Sequence, residues 1–501
     1  MPPWLGRGVG LAGPPSRRLG AARGRERAGQ RSLGSMDLTN IAIWVTTVVV
    51  IFITAVVTKI IVTGRRATFQ PGLQAMVHDQ YRALGSVFTL RFFRVNITLL
   101  VGPEVLDHFF QGLESEISHG NTLDFIVPMI GKEVGFGVDL ATRNEQMRFH
   151  NDALKLSKLR SYMDPMLHEV EDYFATWGQQ GVVDLKHEFE QLLMLISSRC
   201  LLGREIRENM FDEVHTLFRE LNGGMSLASV LFPYAPTPTN RRRDRARAKL
   251  SKLFTEVMRS RKSSNRTEGD VLQNLIDSRY KDGRPTTEAE VTGLAIMLLF
   301  LGKHTTSVTS TWTGARLLTN GKWLTAAIEE QKEITRTHGD RIDYNALLQM
   351  DILRRCIKEA LRMHPLLPLF PRKVHKSFTL RTKDGAEYEN PGGHTLVSPA
   401  LFNNYLPYIY KDPGVYDPDR FSLNRVEDKV GGKFSFTGFG GGRHSCVGEA
   451  FGYMQIKVIW SYLLRNFELN LESPFPGTDW SKLVASPKGK VLVAYRRVAA
   501  A

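Results

Sequence analysis

The sequence predicts a mainly α protein with small β-sheets, an α+β arrangement, carried behind an N-terminal transmembrane helix. Three patterns predict it. Apolar residues recur at helical spacing over most of the chain between Gly120 and Leu366, as amphipathic helices require. Runs rich in β-branched and aromatic residues concentrate in residues 86–101 and 373–399, enough for small sheets only. The uncharged stretch from Ile41 to Thr58 has about the length that crosses a bilayer.

Across 501 residues, 42 % hydrophobic and 23 % charged residues describe a globular body with a substantial core. No linker or internal repeat divides that body. The formal charge of +15 invites a nucleic-acid reading, but seven arginines against one glutamate in residues 1–35 supply a large share of it. No nucleic-acid-binding module is visible, and an anionic membrane or an acidic protein surface suits the remaining charge. Cys200, Cys356 and Cys446 are an odd set without metal-ligand spacing, so they cannot form a fully paired disulfide framework. They fit a thiol-reducing compartment.

Taken in order, residues 1–35 are rich in Gly, Ala, Pro and Arg and lack core-building periodicity. That predicts a disordered leader, with Met36 as an alternative natural start. Residues 40–64 form the anchor: the uncharged run is followed by Lys59, Arg65 and Arg66, and positive charge on that side predicts a single pass with the body in the cytoplasm. The body spans residues 74–501. Met76 to Leu84 reads as helix, residues 86–93 and 96–101 as a hairpin, and Pro103 opens another helix. Helical periodicity then fills Met147 to Trp177, Leu185 to Leu202, Asn209 to Leu221, Asp244 to Arg261 and Asp270 to Asp277. Leu231 to Pro238 is an apolar, proline-rich loop followed by Arg241, Arg242 and Arg243. Such a combination suits a membrane surface, although a solvated charge run reads the same.

Thr286 to Leu318 is the longest helical pattern, and Leu301-Gly302-Lys303-His304-Thr305 interrupts its apolar run. Polar groups in a core need partners. This is either a ligand-facing bend, in which glycine makes room and His304 and Thr305 pass protons, or a helix face turned to solvent. Glu359 and Arg362 share one face of a later amphipathic helix. Asp417 to Phe421 sits in a turn-rich stretch beyond the second strand region. Last comes Phe439-Gly440-Gly441-Gly442-Arg443-His444-Ser445-Cys446-Val447-Gly448, ahead of a helical pattern from Glu449 to Arg465. Glycines let a backbone approach a flat ligand closely, and a cysteine thiolate is one of the proximal ligands of haem iron. A glycine-rich turn with an idle cysteine has the same composition, and these residues alone leave that choice open.

In this order and spacing the motifs resemble those of the cytochrome P450 family, over nearly everything from Gln74 to Tyr495. The cysteine signature matches from Phe439 to Gly448. The Glu-x-x-Arg pair matches Glu359 and Arg362, the downstream Pro-x-Arg-Phe matches Pro418, Arg420 and Phe421, and the oxygen-activating helix motif matches Gly302 to Thr305. His304, His444 and the stretch from Lys281 to Gly293 are similar to the sterol 14α-demethylase branch, and most to its plant, obtusifoliol 14α-demethylase-like members.

That resemblance implies a cytochrome P450 fold and a monooxygenase that holds haem b. It implies electrons from NADPH through NADPH-cytochrome P450 reductase, and a place in the endoplasmic reticulum membrane. Cys446 would be the iron ligand, in a loop shaped by Phe439, Gly440 and Gly448. His444 and Arg372, with Lys158 or Arg160, would meet the haem propionates, and His304 and Thr305 would relay protons. Glu359, Arg362 and Arg420 would form a buried structural network, and Arg443 and Lys457 a positive face for the reductase.

Departures from the family pattern fall where it holds its substrate. Leu123 replaces a tyrosine, Gly137 beside Phe136 an aspartate, Leu301 an alanine and Lys303 a glutamine, while Pro368-Leu369-Phe370-Pro371 replaces an aliphatic run. The hinge between anchor and body is reduced to residues 67–72. These features are similar to a divergent cereal branch that oxidises triterpenes, so the expected lipid substrate is a plant triterpenoid or sterol skeleton. Sterol 14α-demethylation is the alternative, and a non-catalytic haem- or lipid-binding relic is a third reading.

Overall fold

The computed structural model describes residues 69–92, 95–382, 385–480 and 482–498; the expected leader (1–35) and anchor (40–64) lie outside them. Its longest element is the helix Glu288–Leu318. Thr287 starts it with a capping box, its hydroxyl accepting the Glu290 N–H while the Glu290 carboxylate accepts the Thr287 N–H, which satisfies two end donors at once. Among the described residues it is the one helix apolar and long enough to cross a membrane. Its residues Val291 to Met297 and Thr306 to Ala315 are buried inside the protein, so it is a core helix.

Leu185–Ser197, Pro238–Ser263, Asp351–Met363 and Glu449–Asn466 pack around this central helix. Their apolar faces form one core that includes Phe189, Leu294, Trp312, Leu353 and Trp460. Trp460 satisfies its indole N–H on the Ser310 hydroxyl at 3.0 Å, so a large ring is buried without a stranded donor.

The strands form small sheets, one of which shares the helical core through Phe467, Leu469 and Val493. Val87–Phe92 and Val95–Leu100 form the predicted hairpin. Val95–Leu100 pairs in parallel with Thr395–Ser398, which pairs antiparallel with Phe370–Val374, which in turn pairs antiparallel with Ile117–Ser118. This sheet brings residues 117–118 and 370–374 together across the whole helical body of the sequence. A second sheet joins Gln180–Asp184, Leu492–Arg497 and Phe467–Leu471.

Several local expectations change. The periodic stretch from Met147 to Trp177 is broken into Leu140–Ala153, Leu156–Ser161 and Met163–Ala175. Lys155 is extended, and Pro165 near the start of the third helix has no N–H to continue the second. The helix opened by Pro103 is a single turn, Pro103–Val105, followed by Asp107–Gln111. The arginine run is not uniformly solvated: Arg241 and Arg242 are exposed, whereas Arg243 is buried and donates to the Pro233 carbonyl at 2.8 Å. Helical spacing turns that one position inward.

Candidate haem-thiolate site

The cysteine loop is closed at its base by the Cys446 N–H on the Phe439 carbonyl, at 2.8 Å. Between them the chain turns through left-handed conformations at Gly440 (φ +72°) and Gly442 (φ +58°). A Cβ on Gly442 would lie 2.1 Å from the Phe110 carbonyl oxygen, so the loop presses against Asp107–Gln111 as only glycine permits. Arg443 fastens it there through Nε to the Gln111 carbonyl at 2.9 Å.

Cys446 is the accessible cysteine; Cys200 and Cys356 are buried, and burial pushes the Cys356 thiol up to about 12. The protein around Cys446 also raises its thiol, opposed by the Gly448 N–H, which favours the thiolate. A Cβ on Gly448 would sit 3.8 Å from Cys446 Sγ, so glycine leaves that face of the sulfur bare.

One turn further on, Gly452 lies against the central helix, where a Cβ would be 3.8 Å from Thr306 Oγ1. Thr306 donates to the Gly302 carbonyl at 2.7 Å, and Thr305 to the Leu301 carbonyl at 2.7 Å. The cysteine loop and the Leu301-to-Thr305 stretch are thereby joined through successive contacts. Burial of the central helix lapses at this stretch. Leu301 is 48 % exposed, Gly302 to Thr305 are half-buried, and no neighbouring atom would lie within 4 Å of a Cβ on Gly302.

Burial lowers both Lys303 and His304 from their usual values, and the charge that most opposes this is Glu190 on Leu185–Ser197. Glu190 was not foreseen, since nothing around it in the sequence marks it out.

A cationic group borders the loop. Arg372 is 4 % exposed, and its Nε has no partner. Burial lowers it to about 10. His444 lies 3.6 Å from Glu114, which Arg143 also approaches at 3.2 Å. Burial first, then Arg372 and Arg143, hold the His444 imidazole down to about 4. His119, not foreseen either, packs edge-on against His444 with ring centroids 4.5 Å apart.

Glu359, Arg362 and Arg420 do form one buried network. Glu359 accepts from Arg362 at 2.7 and 2.8 Å, from Arg420 Nε at 3.2 Å and from the Asp417 N–H at 3.0 Å. Arg362 further donates to the Asn404 and Pro413 carbonyls. Glu427, absent from the expected set, accepts from Arg420 at 2.9 Å.

The other expected residues have the following surroundings. Lys457 is buried and donates to the Leu347 carbonyl at 2.8 Å, so it offers no surface charge to a partner; the amphipathic helix turns it inward. Lys158 is half-buried on Leu156–Ser161, with no ion pair among the described residues, and Arg160 stacks over Tyr344 at 5.5 Å. Phe136 faces His119 at 5.9 Å and Arg143 at 5.3 Å. Leu123 packs on the helical core, Leu369 packs on the sheet cluster, and the Pro368 carbonyl accepts the Leu401 N–H. A Cβ on Gly137 would meet the Lys132 backbone at 2.5 Å, so close approach of two chain segments accounts for that glycine.

An exposed cysteine in a glycine-shaped loop, tied through Gly452 and Thr306 to a helix that opens at one turn, suits a flat, thiolate-ligated group of the kind haem-thiolate proteins hold. The chain belongs to the cytochrome P450 family, whose profile matches residues 60–493. It is 53 % identical over 436 residues to the obtusifoliol 14-alpha demethylase of Sorghum bicolor, covering 87 % of this chain and 89 % of that protein. It is 52 % identical to the sterol 14-demethylase of Arabidopsis thaliana with the same coverage. A cyanobacterial CYP120A1 with retinoic acid bound shares the fold, with a TM-score of 0.73 at 19 % identity over 84 % of this chain and 94 % of its own. The protein is thus a cytochrome P450 monooxygenase of the sterol 14-demethylase-like kind, and haem b is its cofactor.

Proposed function

We propose that the protein oxidises a sterol or triterpenoid skeleton while anchored in the endoplasmic reticulum membrane by residues 40–64, its body in the cytoplasm. The observation that carries this reading is an exposed Cys446 in a glycine-shaped loop that is linked, through Gly452 and Thr306, to the uncovered Leu301-to-Thr305 turn. Haem b held there supplies oxygen activation and C–H oxidation, with electrons from NADPH through NADPH-cytochrome P450 reductase. Cys446 holds the iron as thiolate. Arg372, whose Nε has no partner while its Nη1 donates to the Pro371 carbonyl, and His444 hold the haem carboxylates, and Phe439, Gly440 and Gly448 shape the loop. Leu301 offers an exposed apolar surface to a hydrocarbon ring system. His304, with Glu190 facing it, passes protons toward the Thr305 hydroxyl, which donates to the Leu301 carbonyl and keeps its lone pairs free to accept.

Sterol 14-demethylation is the second reading, supported by relatives more than half identical to this chain. The changes at Leu123, Leu301 and Pro368 favour a reshaped cavity, because packed interiors register single methylenes. The reduced, CO-bound holo-protein is expected to show a thiolate-type Soret band that Cys446→Ala abolishes. Substrate-binding spectra with obtusifoliol and a β-amyrin-type triterpene then separate the readings. Tight obtusifoliol binding with a demethylated product establishes the second, and absence of the thiolate band establishes a non-catalytic relic.

A further inference from the structure

We infer that His119 is a further holder of the haem's peripheral carboxylates, beside Arg372 and His444; the inference rests on the haem reading above. Sheet register puts His119 there. Ile117 pairs with Val374 and Ser118 with Lys373, so the residue after Ser118 emerges beside Arg372. The His119 ring is held between two others, His444 at 4.5 Å and Phe136 at 5.9 Å. Arg372, 4 % exposed, spends its Nη1 on the Pro371 carbonyl at 3.0 Å and keeps its Nε unpartnered. Buried guanidinium groups are normally paired. A donor stranded at this depth, beside two imidazoles, points to an acceptor brought by a ligand.

The surrounding charge decides what kind of ligand. Arg372 and Arg143 act on both histidines, and Arg443 acts on His444 as well. Glu114 is the acid of the group, and Arg143 already engages it. Glu114, His119 and His444 do offer ligand atoms within 4.8 Å of one another, as a divalent cation would need. Three arginines at that spot oppose a cation and attract an anion. The carboxylates on the rim of a group ligated by Cys446, two residues from His444, have that charge.

Haem transfer to excess apomyoglobin tests this, followed as loss of the thiolate Soret band from holo-protein. Loss of one charge-assisted hydrogen bond predicts about tenfold faster transfer from His119→Phe. His119→Ala, which cannot overfill the site, carries the same expectation. His119→Gln keeps an N–H donor and is expected to stay within about threefold of the wild type. Equal rates in wild type, H119F and H119A overturn the inference, and so does equal acceleration in all three variants, which marks a packing role. Wild-type protein with no thiolate band overturns the haem reading itself, a distinguishable result. Stoichiometric Zn2+ bound by the holo-protein in equilibrium dialysis, and lost in H119A, overturns the inference in favour of a metal site.

Discussion

The buried network of Glu359, Arg362 and Arg420 and the surroundings of Leu301 and Arg372 are built by opposite rules. Glu359, Arg362 and Arg420 are 0 to 1 % exposed, and each charge is met by another or by carbonyls. Leu301, by contrast, stands 48 % exposed, and Arg372 keeps its Nε without a partner. The first arrangement is complete within the protein and can only hold shape. The second is incomplete without something from outside, which is how a binding region differs from a scaffold. Buried ion networks contribute little net stability when intact, but removing one member strands the others.

That contrast is broken most severely at Glu359. Glu359→Ala leaves Arg362 and Arg420 buried without their shared carboxylate and is expected to cost about 3–5 kcal/mol. Denaturant unfolding of the holo-protein measures it, and a loss under about 1 kcal/mol would show that the carbonyl partners alone suffice.

Acid probes a third kind of burial. His150 is fully enclosed on Leu140–Ala153, and burial lowers its imidazole to about 4. Below its usual value of 6.5 the unfolded chain takes up a proton that the folded chain refuses. Stability is therefore complete above pH 6.5 and falls by about 3 kcal/mol as the pH drops to 4. Unfolding curves of wild type and His150→Gln across that window check this, the variant being expected to show the shallower slope; parallel slopes would remove His150 as the cause.

Gly442→Ala attacks the loop itself. The left-handed backbone costs about 1–3 kcal/mol for a residue with a side chain, and the Phe110 carbonyl must also move. The expected result is weaker haem retention alongside lower stability, measured as Soret loss during thermal unfolding. Unchanged retention would mean that the loop reaches the haem site by another turn.

How much of this was legible follows the same division. The helix-rich architecture, the cysteine signature and the Glu359, Arg362 and Arg420 set are carried by spacing within short segments or by a few strongly typed residues, so the sequence displays them. His119 reaches the site through pairing of Ile117–Ser118 with Phe370–Val374, more than two hundred residues away, and Arg143 comes in on Leu140–Ala153 to meet Glu114. Glu190 arrives by helix packing and Glu427 by a turn. None of these carries a local signal. Lys457 and Arg243 were misread for a related reason: charge is visible in a sequence, but the direction in which a helix turns it is fixed by neighbours that are not.

Leu301→Ala is the smallest perturbation of the fold and the sharpest test of the facing side. Because the side chain is 48 % exposed, stability is expected to change by no more than about 0.5 kcal/mol. Haem transfer to apomyoglobin is expected to stay at the wild-type rate, since Leu301 holds no donor. Ligand choice is where the change should appear: trimming carbons from a surface that meets hydrocarbon alters discrimination by roughly tenfold or more. The ratio of apparent Kd values for obtusifoliol and a β-amyrin-type triterpene, taken from binding spectra of both proteins, reads this directly. A ratio unchanged within about twofold would remove Leu301 from the substrate surface and move the search for selectivity to the chain around Leu123 and Pro368.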